Sequence, residues 1–286
     1  MTARGRFIAT LARVYAQMAP TGRGGFHVAR LARALTPARD HRARFSISPG
    51  LQFDLDLTTY PDVAMAYGLY ELDTARVIRR LLKPGGHFVD VGANLGYFTL
   101  LAARCVGATG HVDAFEPDEV NRARLMAHVD LNDVGALVTI HPLAASDHAG
   151  TVAWHRPTDK GANHGMASTF STGVEEVTTR VACDRVDAHV AGSSVLIKVD
   201  VEGAELLAIK GMTRLLQQDQ APTLIIEHNP ESARMAGFSP GDLYQTLLAD
   251  QPRYRFYWIG RTLQPLGSAE HLESINKQGN ILVKIG

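Results

Sequence analysis

From residue 84 onward, short apolar runs of strand length alternate with segments whose apolar residues recur at helical spacing. Residues 87–93 (HFVDVGA) predict a strand and 96–106 (GYFTLLAARCV) a helix. Residues 110–117 (GHVDAFEP) predict a second strand, 118–132 (DEVNRARLMAHVDLN) a helix, and 136–145 (ALVTIHPLAA) a third strand. After an interruption come a strand at 195–201 (VLIKVDV), one helix over 203–218, a strand at 222–229 (PTLIIEHN) and a helix at 239–250 with a Ser-Pro start. Two strands close the chain, 254–260 and 280–286, joined by a long connection. Apolar strands separated by helices imply a parallel sheet covered on both faces, and the closing pair implies an antiparallel finish.

Three regions depart from this rhythm. Residues 146–180 are rich in Gly, Ser, Thr, Asp and His, with one strand candidate at TVAWHR, and read as a polar insertion. Residues 46–83 read as a lead-in. Within it, FSISPGLQFDLDL suggests strands or a hairpin around Pro49-Gly50. One or two helices over 60–82 then stop at Lys83-Pro84-Gly85-Gly86. Residues 1–45 read as a helical arm, with Phe7, Ile8, Leu11, Tyr15 and Met18 at helical spacing. The expected organisation is therefore an arm (1–45), a lead-in (46–83) and a main domain (84–286).

Charge changes the picture only locally. The chain of 286 residues has 29 basic and 29 acidic side chains, so no global field points to nucleic acid. The arm, however, carries Arg4, Arg6, Arg13, Arg23, Arg30, Arg33, Arg39, Arg42 and Arg44 against Asp40 alone. Its apolar run is too short and interrupted to span a bilayer, and it lacks a secretory signal pattern. The pattern favours a helix packed on its own domain with arginines in solvent. The alternative is peripheral contact with an anionic membrane. Cys105 and Cys183 have no metal-type spacing, and a reducing compartment, the cytoplasm, is the expected location. Oligomeric state is not legible.

The candidate chemistry lies where the strands end. Ligands in such sheets sit beyond the carboxyl ends of the central strands. Asp90 ends the first strand, Gly92 to Gly96 form a turn, and a helix follows with its positive end toward that turn. Glu116 ends the second strand, where a carboxylate can accept hydrogen bonds from ribose hydroxyls. A dinucleotide turn would read G-x-G-x-x-G. Here the run is G-A-N-L-G, which leans toward S-adenosylmethionine, whose anionic group is a single carboxylate that Asn94 can help hold.

The segments FVDVGANLGYFTLLAA, AFEPDEVNRARLMAHVDLN and LIKVDVEGAELLAIKGM, in this order, resemble the FkbM family of S-adenosylmethionine-dependent methyltransferases. The resemblance runs from about residue 67 to 229. It implies a class I, Rossmann-like methyltransferase fold: a mostly parallel sheet of seven strands with the last antiparallel, and helices on both faces. It also implies methyl transfer to oxygen, often on a sugar or natural-product hydroxyl. By motif position, Asp90, Gly92, Asn94, Gly96 and Glu116 bind the cofactor. Residues 144–147, including Ala145 and Ser146, lie beside the adenine. His128 stands where family members often carry Asn, at a helical position expected to be remote from the turn.

An aliphatic hydroxyl is a poor nucleophile, so a general base or a metal should assist. Asp200 ends the fourth strand next to the first, and a carboxylate buried there needs a partner. Glu202 and Glu205 follow, with helix capping as their ordinary role and Glu202 evenly balanced between capping and the site. Glu227 and His228 end the fifth strand, and Asp200, Glu227 or His228 could take the substrate proton. The same three could hold magnesium or manganese. Lys198 reads as a strand-edge cation or a partner of Asp200. His164 in the insertion is a weak base candidate, and His111, His141 and His155 read as ordinary residues.

The expected activity is O-methylation of a sugar, glycolipid or secondary metabolite. Rival readings are carboxyl methylation, a nicotinamide-dependent oxidoreductase, and a non-catalytic module that kept the fold.

Overall fold

The computed structural model describes residues 1–18, 25–47, 50–158, 168–171, 176–191 and 195–286. Helices α1 (Ala3–Met18) and α2 (Gly25–Leu35) pack against each other. Strands β1 (Arg42–Ile47) and β2 (Leu51–Asp56) form the expected antiparallel hairpin, although Pro49 lies outside the described residues. Two helices follow, α3 (Asp62–Ala66) and α4 (Leu72–Leu81).

The alternation that follows is β3 (His87–Val91), α5 (Tyr97–Val106), β4 (His111–Phe115), α6 (Glu119–Leu131) and β5 (Val138–His141). Strand β6 (Ala144–Ala145), just before the insertion, joins β7 (Gly150–Pro157) within it and β8 (Glu176–Asp184), which runs past its end, in a separate three-stranded sheet. Then come β9 (Val195–Val199), α7 (Glu205–Lys210), α8 (Thr213–Leu216), β10 (Thr223–His228), α9 (Pro230–Met235) and α10 (Pro240–Asp250). The chain closes with β11 (Tyr254–Trp258), β12 (Gln264–Leu266), α11 (Ala269–Glu273) and β13 (Gly279–Ile285).

The central sheet has the order β12-β11-β13-β10-β9-β3-β4-β5. Strands β5, β4, β3, β9 and β10 are mutually parallel, and β13 enters antiparallel between β10 and β11. The sheet has eight strands, one more than expected, and the addition is the three-residue β12 paired with β11. Alternate side chains feed two cores. Phe88, Val112, Ala114, Leu196 and Ile225 meet α4, α5 and α6. Val89, Val91, Ile197, Val199, Leu224 and Ile226 meet α7, α8, α10 and α11.

The single helix expected over 203–218 is two. The Asp187 carboxylate accepts the backbone N–H groups of Arg214 (2.8 Å) and Leu215 (3.1 Å), so it caps a new helix where the old one ends. Helix α10 starts as its Ser-Pro signal implies, with a reciprocal Ser239–Asp242 capping box. Cys105 and Cys183 are both free.

Candidate functional site

A cavity of about 300 Å³ opens at the carboxyl ends of β3, β4, β9 and β10, where ligands of parallel sheets collect. The backbone builds its floor. At Gly92 (φ +87°) an added Cβ would lie 1.8 Å from the carbonyl oxygen of Asp200, so only glycine lets β3 and β9 end side by side. Asn94 is also left-handed (φ +52°). Its N–H donates to Glu116 Oε2 (2.7 Å), while the Asp118 N–H donates to Oε1 (2.8 Å). Glu116 therefore clamps the turn to the end of β4. Burial pushes its carboxyl up to about 8, against the opposing pull of those two N–H donors.

A polar row crosses the sheet beneath the turn. Register places Asp90 beside Lys198, and Glu227 beside Asn280. The Lys198 ammonium donates to Asp200 Oδ2 (2.6 Å) and lies 4.6 Å above the Phe98 ring. Lys198 is 2% exposed, and the carboxylates of Asp200, Glu71 and Asp90 raise its pKa against the opposing effect of burial. Lys198 is thus a partner of Asp200 and not a strand-edge cation. Asp90 Oδ2 accepts from Thr99 Oγ1 (2.6 Å), whereas its buried Oδ1 has no partner.

Besides Glu116, the carboxyl groups of Glu71, Asp200, Glu202 and Glu227 face the cavity. Oxygens of Asp200, Glu202 and Glu227 lie within 4.8 Å of one another. Burial, and then the charges of Asp200 and Glu205, raise Glu202 to about 8. Burial, then Asp200 and Glu202, holds Glu227 well above the carboxylate range. Glu227 Oε1 accepts from Gln278 (2.6 Å), and its buried Oε2 has no partner. Glu205 takes the capping role, accepting from the N–H groups of Val201 (3.1 Å) and Gly203 (3.2 Å). Burial pushes its carboxyl up to about 7.

Of the residues singled out from sequence, Gly92, Asn94, Glu116, Ala145, Asp200 and Glu227 line the cavity. Asp90 lies beneath it. Gly96 faces Leu125 of α6, where an added Cβ would be 2.5 Å from the leucine. Ser146 is buried, with its N–H donating to Asp184. His228 points to the other face of the sheet, since successive strand residues alternate. Its Nε2 is 2.9 Å from the Ile275 carbonyl, and its ring meets Trp258 edge-on. Glu227 and His228 cannot act on one ligand atom. The triad of Asp200, Glu227 and His228 gives way to Asp200, Glu202 and Glu227. His164 lies outside the described residues.

Position 128 is not remote from the turn. His128 Nδ1 is 2.8 Å from the Leu95 carbonyl, inside the turn itself, and Nε2 is 3.2 Å from the backbone of Asp54 in β2. Burial lowers the His128 pKa, so the ring is a neutral strut. Sequence also gave no notice of Glu71, which immediately precedes α4 in a left-handed conformation (φ +38°). Asn280 Nδ2 bridges Glu71 Oε2 (2.9 Å) and Thr74. An acid before a helix reads as a cap, and its partner is 209 residues away. Tyr60 and Tyr70 also line the cavity, and burial raises both phenols, Tyr60 to about 12.

Residues 90–256 match the model of the methyltransferase FkbM domain, which is more than half of the chain. The chain belongs to the FkbM methyltransferase family. Several solved structures are similar to this FkbM protein. An FkbM methyltransferase from Methylobacillus flagellatus has 16% identity and a TM-score of 0.44, with 78% of this chain and 52% of that chain covered. For an S-adenosylmethionine-dependent O-methyltransferase from Thermotoga maritima, identity is 14%, TM-score 0.40 and coverage 76% and 66%. A Pyrococcus abyssi tRNA (uracil-54, C5)-methyltransferase in complex with S-adenosyl-L-homocysteine gives 11%, 0.45, 86% and 44%. None reaches 0.5, so membership rests on the family model. The FkbM protein spans about half the length of its Methylobacillus relative. No curated protein matches the chain.

The residues fit S-adenosylmethionine, the family's methyl donor. Gly92 keeps the floor open, Glu116 and Asn94 offer polar atoms on the wall, and the orphaned Asp90 Oδ1 lies below as a buried acceptor. Each Glu116 oxygen accepts one backbone N–H and retains a second lone pair.

Proposed function

We propose that the protein transfers the methyl group of S-adenosylmethionine to a hydroxyl of a sugar, glycolipid or secondary metabolite. The observation that supports this reading is the cluster of Asp200, Glu202 and Glu227 in the same cavity as the glycine turn and Glu116. Glu116 and Asn94 bind the nucleoside, and Ala144 and Ala145 pack beside the adenine. The cofactor supplies an electrophilic methyl on a sulfonium. The protein's part is alignment of the acceptor and removal of its proton.

Burial and the neighbouring carboxylates favour the protonated forms of Glu202 and Glu227. Asp200, with Lys198 beside it, is the acceptor of the substrate proton, and Glu202 and Glu227 modulate it. Tyr60 and Tyr70 remain neutral phenols that can orient a polyhydroxylated acceptor. Asp200→Asn should therefore retain cofactor binding and lose turnover by about a hundredfold or more, the usual worth of a general base. Full activity of this variant toward a hydroxyl acceptor would remove Asp200 from the chemistry. Full activity toward a carboxylic acid alone would favour carboxyl methylation.

A second reading is a divalent cation such as magnesium on Asp200, Glu202 and Glu227, favoured by their oxygen ligands and the unpartnered Glu227 Oε2. Calorimetric titration with magnesium distinguishes the two, since only a metal site gives binding that Glu227→Gln abolishes.

A further inference from the structure

Helices α1 and α2 bury their small residues. Ala9, Ala12, Ala29 and Ala32 face inward. Arg13 donates two hydrogen bonds to the Ala66 carbonyl at the end of α3 (3.1 and 2.8 Å), and the Thr36 hydroxyl meets Tyr67 (2.8 Å). With alanines inside, the large apolar side chains are left outside. Phe7 is 64% exposed, Leu11 53% and Leu31 61%, and Val14, Tyr15 and Leu35 are exposed as well. Phe7, Leu11 and Val14 follow the i, i+4, i+7 spacing of one helix face, and Leu31 and Leu35 are one turn apart. Arg4, Arg6, Arg30 and Arg33 are exposed on the same two helices.

We propose that this face docks on an anionic lipid bilayer, with arginines on headgroup phosphates and Phe7, Leu11 and Leu31 in the acyl boundary. Charge complementarity selects this occupant. Arg4, Arg6, Arg30 and Arg33 are exposed on α1 and α2, whereas Arg42 and Arg44 of the hairpin pair with Asp56 and Asp54, and the one acid of residues 1–45 is engaged internally. Asp40 accepts from the Thr2 N–H (2.9 Å) and hydroxyl (2.5 Å). A second copy would bring the same arginines against themselves, and a nucleic acid would leave the apolar stripe uncovered. Among the described residues no helix is long and apolar enough to cross a membrane, so the contact is peripheral. Behind this face, α2 packs on α3, which lends Met65 to the cavity wall. Docking therefore sets the cavity close to the bilayer, where a lipid-borne acceptor would be delivered. That last step rests on the proposed function, whereas the docking does not.

The test is co-flotation of the full chain with vesicles of phosphatidylcholine alone or mixed with phosphatidylglycerol. Binding to the mixed vesicles only, weakened by salt, is expected. Each exposed arginine reversed, Arg4→Glu or Arg30→Glu, should lower partitioning roughly fivefold or more. Leu11→Ser with Leu31→Ser should abolish flotation and leave the melting temperature unchanged, since both side chains are exposed. No binding to either vesicle would overturn the proposal, as would equal binding to both. It would also fall if light scattering showed a dimer that Leu11→Ser dissolves, or if the face bound RNA and not vesicles. Catalytic failure of the protein would not affect these readouts.

Discussion

Gly92 and His128 show what the turn requires at the level of single residues. Gly92→Ala places a methyl against the Asp200 carbonyl at 1.8 Å in a left-handed conformation, so β3 and β9 must separate. A loss of about 2 kcal/mol in denaturant unfolding is expected, with cofactor binding abolished. His128→Ala removes a ring that meets both the Leu95 carbonyl and Asp54. Leaving those buried groups unsatisfied should cost about 2 kcal/mol. His128→Asn should recover part of this loss if an amide can reach Leu95. The turn itself was legible in the sequence, because glycines between two strand-end acids have few other uses. The function of position 128 was not, since helical periodicity gives its face but not the loop it touches. His228 lies away from the cavity for a simpler reason: two adjacent strand residues point to opposite faces, so only one of Glu227 and His228 can meet the cavity.

At the scale of elements, the alternation of apolar runs and amphipathic segments carried through from β3 to β10. Strands buried on both faces are written as continuous apolar runs, and glycine, proline and capping residues mark their ends. Helix α9 and the break between α7 and α8 were not visible. The first is only six residues, and the second depends on Asp187, distant in sequence. The composition of the polar insertion predicts one strand, at TVAWHR. Its second strand, β8, is exposed along much of its length, so burial imposes no apolar pattern on it. Asp118 ties this sheet to the cavity. Its carboxylate caps α6 and accepts from Trp154 Nε1 (3.1 Å) and from Arg156. Asp118→Ala should loosen both, weakening α6 and raising proteolytic sensitivity within β7–β8. Limited proteolysis beside the parent protein would measure this, and identical cleavage would show that the sheet is held elsewhere.

For the whole molecule, the buried carboxyls govern how stability depends on pH. Glu116 and Glu202 are raised to about 8 and Glu205 to about 7, from an ordinary value of 4.5. Folding favours their neutral forms. Their contribution is complete below the unfolded value and is lost as pH rises through about 7 to 8. Asp113 has the opposite sign. Burial would raise it, but hydrogen bonds from His141 and His87, 2.7 Å each, hold it well below the carboxylate range. Its contribution is present above the unfolded value and is lost as pH falls through the depressed one. The melting temperature of the ligand-free protein should therefore decline between pH 6 and pH 9. Glu205→Gln should flatten that slope. A flat profile would mean these carboxyls are ionised in the folded state as in the unfolded chain.

The central claim is that the glycine turn and Glu116 hold a nucleoside cofactor. Calorimetric titration with S-adenosylhomocysteine, with NAD as control, tests it most directly. Micromolar binding of S-adenosylhomocysteine alone is predicted, weakened about tenfold or more by Glu116→Ala through loss of its buried hydrogen bonds to the nucleoside. Binding of NAD in its place, or no binding of either by the folded protein, would contradict the account.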